Sequence, residues 1–283
     1  MRSDIYALSA IGLWSVLAFL GIELAHVPPF LLTGLALAVG SLIALPLCRF
    51  RLSAWRVPLP TLLLGVYGLF GFHLLLFLAL RHAPAVETNL INYLWPLGMV
   101  LLAPVIIPGT KLRWSHFGAA ILGFSGAAIA IVGRAEGAGV TGGGFHPGYF
   151  LALGSAFVWS TYSLATRRVE PFHTSAVGAF AALSSILSLL CHSFLEPDTT
   201  LSARDFLLIA ILGAGPLGGA FFLWDAALKS GDPRRIAVFS FLTPLLSTIV
   251  LVVGTGQTLQ PSIAAAAVLI LAAAVWGRIA TRD

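Results

Sequence analysis

Apolar runs of about 20 residues follow one another along the chain, each closed by a short polar, proline or glycine break. A run of that length crosses a bilayer as a helix. The pattern predicts ten such helices, at roughly 4–25, 28–48, 58–81, 85–107, 113–133, 146–167, 172–194, 204–228, 233–254 and 260–280. Pro28-Pro29 ends the first run, the basic stretch Arg49 to Arg56 follows the second, and His82-Ala83-Pro84 separates the third from the fourth. Pro108-Gly109-Thr110-Lys111 separates the fourth from the fifth. Six glycines lie between Gly133 and Gly144, a composition expected of a flexible linker at the chain midpoint. The predicted organisation is a five-helix unit over 1–138, a Gly-rich linker at 139–145 and a second five-helix unit over 146–283.

The two units match in register. Thr88-Asn89-Leu90-Ile91-Asn92-Tyr93-Leu94-Trp95-Pro96 and Val238-Phe239-Ser240-Phe241-Leu242-Thr243-Pro244 place Pro96 and Pro244 148 residues apart. At the same spacing Gly65 matches Gly213, Gly71 matches Gly219, Ala79-Leu80 matches Ala227-Leu228, and Arg81 matches Lys229. In the first helix of each unit the offset is 145, and Trp14-Ser15 matches Trp159-Ser160. Five is odd, so the second unit should enter the membrane from the opposite side. The expected fold is an all-α integral membrane protein, with two inverted five-helix repeats around a central cavity. Polar, proline-broken helices at mid-membrane in each repeat are the mark of a transporter.

Lys and Arg fall unevenly in the breaks. Alternate breaks and both chain ends hold 13 of them, and the other breaks hold 3: Arg81, Arg134 and Arg204. Cytoplasmic loops collect positive charge, so both termini are expected in the cytoplasm of a multi-pass inner-membrane protein.

Composition agrees with a lipid environment. Mean hydropathy is +0.96 and 10% of residues are charged, against about 25% in soluble domains. The first apolar run reads as a retained helix rather than a signal peptide. The basic residues are scattered singly or in pairs, so a pI of 9.7 sets topology and gives no nucleic-acid face. Cys48 and Cys191 end the second and seventh runs, on opposite membrane faces, and cannot form a disulfide.

Candidate chemistry clusters on a few faces. Asn89, Asn92, Tyr93 and Pro96 stand at i, i+3, i+4 and i+7, one side of a helix. Pro96 has no N–H to give the carbonyl of Asn92. Such a face meets either substrate or a neighbouring helix through buried amides. Ser155, Trp159, Tyr162, Ser163 and Thr166 form a second such face, with Trp159 too deep for an interfacial belt and Trp14 as its counterpart. Phe72-His73 lies in the outer half of the third helix, where an ionisable group faces either a structural partner or a cavity. Trp224, Ser240, Phe241 and Pro244 are secondary candidates. Asp225 can pair with Lys229 at i+4, and Glu23 and Glu87 can reach the interface. One side of the fifth helix (Ala119, Gly123, Ala127 and Ile131) and small residues on the tenth (Ala264 to Ala267, Ala272 to Ala274) suit close packing, as scaffold or homodimer contact. The chain lacks a Gly-Lys-Ser/Thr phosphate loop, a paired-carboxylate site and a His-Glu-x-x-His zinc pattern, so no cofactor, no metal and no enzymatic activity are expected.

Helix number, inverted repeats, an Ala/Gly-rich fifth helix and the run Asn89-Leu90-Ile91-Asn92-Tyr93-Leu94-Trp95-Pro96 with Phe72-His73 before it resemble the EamA-type branch of the drug/metabolite transporter superfamily, and within it the exporters of aromatic amino acids. The resemblance implies a basket of two four-helix halves with helices 5 and 10 peripheral, and efflux of amino acids, aromatic ones included. It implies that Phe72, His73, Tyr93, Trp95, Pro96 and Trp159 line the cavity. Rivals are an exporter of other metabolites or cationic drugs coupled to protons, an intramembrane enzyme, and a non-transporting scaffold. His73 is the one ionisable residue expected well inside the hydrocarbon, which favours facilitated diffusion over obligate proton coupling.

Overall fold

A computed structural model describes residues 2–137, 146–255 and 261–280. The expected linker at 139–145 lies outside the described residues. Helix is the only regular structure among them. Seven helices are long and apolar enough to cross a membrane: Arg2–Glu23, Pro29–Leu47, Leu59–His82, Glu87–Ile106, Thr174–Leu195, Ala203–Ser230 and Pro233–Gly254. Three further helices, Trp114–Gly137, Gly148–Ala165 and Pro261–Ala280, occupy the remaining apolar runs. The first of these continues four residues beyond the boundary at 133 that its glycines suggest.

The long helices are broken where the backbone loses its i→i−4 ladder. Ala85–Asn92 stops, and a new helix, Trp95–Ile106, starts with Pro96 as its second residue. Pro233–Ser240 likewise stops before Leu242–Thr255, which has Pro244 near its start. Proline is tolerated in a first turn because that N–H would be unpaired anyway. Two five-residue π turns, Tyr67–Gly71 and Gly215–Gly219, widen the third and eighth runs. The boundaries repeat with the sequence register. Tyr67–Gly71, Phe72–His82 and Ala85–Asn92 become Gly215–Gly219, Ala220–Ser230 and Pro233–Ser240 when moved by 148.

Packing repeats as well. Gly148–Ala165 lies on Phe72–His82 as Arg2–Ser15 lies on Ala220–Ser230. Pro29–Leu42 pairs with Val177–Leu195, and Trp114–Gly137 pairs with Pro261–Ala280. Glycines allow the close crossings. A Cβ on Gly40 would sit 2.8 Å from the Gly218 Cα and 2.9 Å from the Leu217 carbonyl. Gly118 and Gly126 receive Trp276 and Ile270, so these small residues pack within the chain.

Charged groups tie the helix ends. Glu196 accepts the Phe30 and Leu31 amides at 2.9 and 3.1 Å, where the helix N-terminus is positive, and Arg81 bonds it at 2.8 Å. Glu23 pairs with Arg204. Glu87 does not simply extend to the interface, since its Oε2 is buried. Lys229 bonds Asp225 at 2.6 Å as the i+4 spacing suggests, and Thr174 donates to the same carboxylate at 2.7 Å. At the end holding the N-terminus, Arg235 pairs with Asp4, Arg167 bonds the Gly231 carbonyl at 2.8 Å, and Arg168 bonds that of Ile106 at 2.9 Å. Outside the spans, burial alone would raise the Asp232 carboxyl, but hydrogen bonds and charge from Arg234 outweigh it and hold the acid below its ordinary value.

Candidate functional site

A cavity of about 380 Å³ lies between the broken helices, in the size range of small-molecule sites, about 300–1,000 Å³. Its floor is aromatic. The Trp159 ring lies 6.0 Å from Trp14, 6.3 Å from Trp95, 5.2 Å from Phe72 and 5.6 Å from Phe221. Trp224 stands behind, 5.2 Å from Trp14 and 5.5 Å from Trp95. Centroid spacings of 4.5–7 Å with tilted or edge-on planes favour such rings.

Polar atoms face the same space. His73 is buried in the wall, and its Nδ1–H donates to the Leu69 carbonyl at 2.6 Å. When the ring is neutral, that tautomer leaves Nε2 as an acceptor. Ser155 holds the Asn92 side chain at 2.8 Å. Trp14 Nε1–H donates to the Pro216 carbonyl at 3.1 Å, an acceptor within the π turn. Thr243 is buried in the wall and its hydroxyl has no partner among the described residues. Among the described residues the lining holds no carboxylate, Lys or Arg. Among the described residues no group of three His, Cys, Asp or Glu could hold a metal.

The profile of the EamA-like transporter family matches residues 1–132 and again 146–276. The chain belongs to the EamA-like transporter family. It is 38% identical to the aromatic amino acid exporter YddG of Ancylobacter novellus, over 97% of this chain and 96% of that one. It is 28% identical to the protein of the same name in Escherichia coli, over 99% and 98% of the two chains. It is also 28% identical to a probable amino-acid metabolite efflux pump of Salmonella typhimurium, over 96% and 93%. A solved crystal structure with 36% sequence identity superposes with a TM-score of 0.90 over 99% of each chain. An EamA-like transporter with so many long apolar helices is a multi-pass membrane protein.

In this EamA-like chain the cavity wall contains Phe72, His73, Asn89, Asn92, Tyr93, Trp95, Trp159, Trp14 and Pro244. Pro96, Tyr162, Ser163, Trp224, Ser240 and Phe241 lie outside it, buried in the helix packing. Their exclusion is related to the repeat. Moved by the repeat register of 148, or 145 in the first helix, these six fall on Pro244, Leu17, Ala18, Leu76, Asn92 and Tyr93, all of which line the cavity. The relation is partial, since Trp14 and Trp159, His73 and Phe221, and Trp95 and Thr243 are also register mates and both members of each pair line the wall.

Some wall residues are missing from the faces singled out by sequence: Thr33, Phe221, Thr243, Ser247 and Thr248. Thr243 and Ser247, and Pro244 and Thr248, are i, i+4 pairs, so the helical spacing that marks Asn89 and Tyr93 also marks this face. Thr33 stands alone among apolar neighbours and carries no such signal. Ile131 brings the fifth helix into the wall, so that helix is not purely peripheral.

Proposed function

We propose that this protein exports amino acids, aromatic ones included, across the inner membrane by alternating access and facilitated diffusion. One observation carries the reading: an aromatic-floored cavity without carboxylate, Lys or Arg among the described residues of its wall, lying between two register-matched sets of broken helices. In this reading ten helices cross the bilayer as inverted repeats, 1–138 and 146–283 joined at 139–145, with both termini cytoplasmic. Shared element boundaries, the paired family match and the distribution of Lys and Arg support that arrangement. The wall residues lie toward the helix ends remote from the N-terminus, which makes this the outward-facing state.

The chemistry suits a zwitterion. Indole faces attract an ammonium, and His73 Nε2 can accept from it. Amide and hydroxyl donors of Asn89, Asn92, Thr243 and Ser247 can hold a carboxylate. Binding without a fixed countercharge is weak, which suits release. The names of the relatives, exporters and an efflux pump for amino acids, support the substrate class.

Counterflow of labelled phenylalanine in proteoliposomes tests the function. Uptake should occur with no pH gradient and reach equilibrium only. Accumulation driven by an imposed pH gradient, and lost in His73→Ala while downhill exchange survives, would establish proton coupling instead. No amino-acid flux, with flux of an organic cation, would favour the drug-exporter rival. The geometry has its own test in a Cys48→Ala/Cys191→Ala background. Ser163→Cys should react several-fold faster with an impermeant thiol reagent from the cytoplasmic face, and its counterpart Ala18→Cys from the outer face. Reaction of both from one side defeats the inverted-repeat reading.

A further inference from the structure

Apart from the central cavity, a second hollow of about 350 Å³ lies at the end of the Pro29–Leu47 helix. Cys48, Arg49, Arg51, Ser53 and His173 line it, joining the loop after one helix to the start of Thr174–Leu195. Among the described residues its lining contains no carboxylate. The ion pairs among the described residues use other cations, and neither Arg49 nor Arg51 has a side-chain partner there. His173 Nδ1 accepts the Ser175 amide at 3.2 Å, so its ring proton sits on Nε2, a remaining donor. Arg49, Arg51, Ser53 and His173 thus line one space, and guanidinium, hydroxyl and imidazole N–H donors suit the oxygens of a phosphate.

The surroundings place that phosphate at a lipid boundary. Leu47 and Phe50, on either side of the arginine turn, are 50% and 73% exposed. Among the described residues, Arg49 and Phe50 are the non-glycine residues with positive φ, at 51° and 58°. A left-handed pair is costly for such side chains, and costly backbone is retained where it serves a site. Here the turn sends one residue into the basic hollow and the next, aromatic one outward. A free anion would use the basic donors alone, whereas an anionic phospholipid would use both the donors and the apolar rim.

We propose that this hollow binds the headgroup of an anionic phospholipid, its phosphate held by Arg49, Arg51, Ser53 and His173 and its acyl chains against Leu47 and Phe50. The bound lipid would fasten the 49–56 loop to the start of Thr174–Leu195, whose Thr174 bonds Asp225.

The test is native mass spectrometry of the full chain in detergent with equal phosphatidylglycerol and phosphatidylcholine, on the wild type and on the Arg49→Gln/Arg51→Gln double variant. The wild type should retain phosphatidylglycerol several-fold over phosphatidylcholine, and the double variant should lose that preference. Millimolar inorganic phosphate should not displace the lipid. Counterflow in phosphatidylcholine-only liposomes should be the same in both proteins. Equal retention of the two lipids by the wild type overturns the proposal, as does an unaltered preference in the variant. Displacement by inorganic phosphate makes the hollow a free-anion site and overturns the lipid assignment. If the double variant does not fold, His173→Asn replaces it and should weaken the preference measurably, an unchanged preference counting against the site.

Discussion

Trp159→Ala is expected to lower phenylalanine counterflow at least tenfold while the protein still reaches the membrane. The ring stands at the centre of the cavity floor, with Trp14, Phe72, Trp95, Tyr162, Phe221 and Trp224 all within 6.5 Å. Truncating a buried indole leaves a hole and costs about 3–5 kcal/mol. Part of that loss falls on stability and part on any substrate lying over the ring, where a loss of about 1.4 kcal/mol already means tenfold in affinity. Trp159→Phe separates the two. It keeps an aromatic face while removing the larger ring, so it should retain a substantial share of transport. Wild-type flux in Trp159→Ala, with a normal elution profile, would take this ring out of the path. Loss of flux in both variants with normal folding would point to the indole itself.

Gly218→Ala should cause a large loss of stability for a single methyl group. The new Cβ would collide with the Gly213 carbonyl and lie 2.6 Å from the Gly40 Cα. Both obstacles are backbone, so no rotamer change relieves them. Overpacking costs about 1–3 kcal/mol where side chains can give way, and here the expected cost is at or above the upper figure. Thermal unfolding in detergent measures it, with Gly12→Ala as the control. Nothing lies within 4 Å of a Cβ on Gly12, so that change should be neutral or stabilising through helix propensity. Equal midpoints for the two variants would show that the crossing of Pro29–Leu47 with Ala203–Ser230 is looser than described.

Helix positions were readable in the sequence because apolar run length and proline or glycine breaks report directly on them. The kinks at Pro96 and Pro244 were readable for the same reason. The π turns were not, although Gly65, Gly71, Gly213 and Gly219 mark the matched segments, because an added residue in a helix changes no local composition. The cavity face of Asn89, Asn92 and Tyr93 declared itself by polar groups that lipid cannot satisfy. Tyr162 and Ser163 declared themselves equally, and Ser240 as a secondary candidate, yet all three lie in the packing. A polar face must avoid lipid, and buried packing achieves that as well as a cavity does. Which alternative holds depends on how the helices pack, a property that spacing does not encode. Ile131 reads as part of a scaffold face and Leu217 carries no signal at all, because an apolar cavity wall and an apolar core read alike.

The π turn at Tyr67–Gly71 fixes more than helix width. Each residue of an α-helix turns the chain by about 100°, so the extra residue sets the angular phase of everything after it. Phe72, His73, Leu76 and Phe77 reach the cavity only in that phase. Excising one residue from the turn would let the ladder close as ordinary helix and swing all four side chains about 100° together, with every one of them still present in the chain.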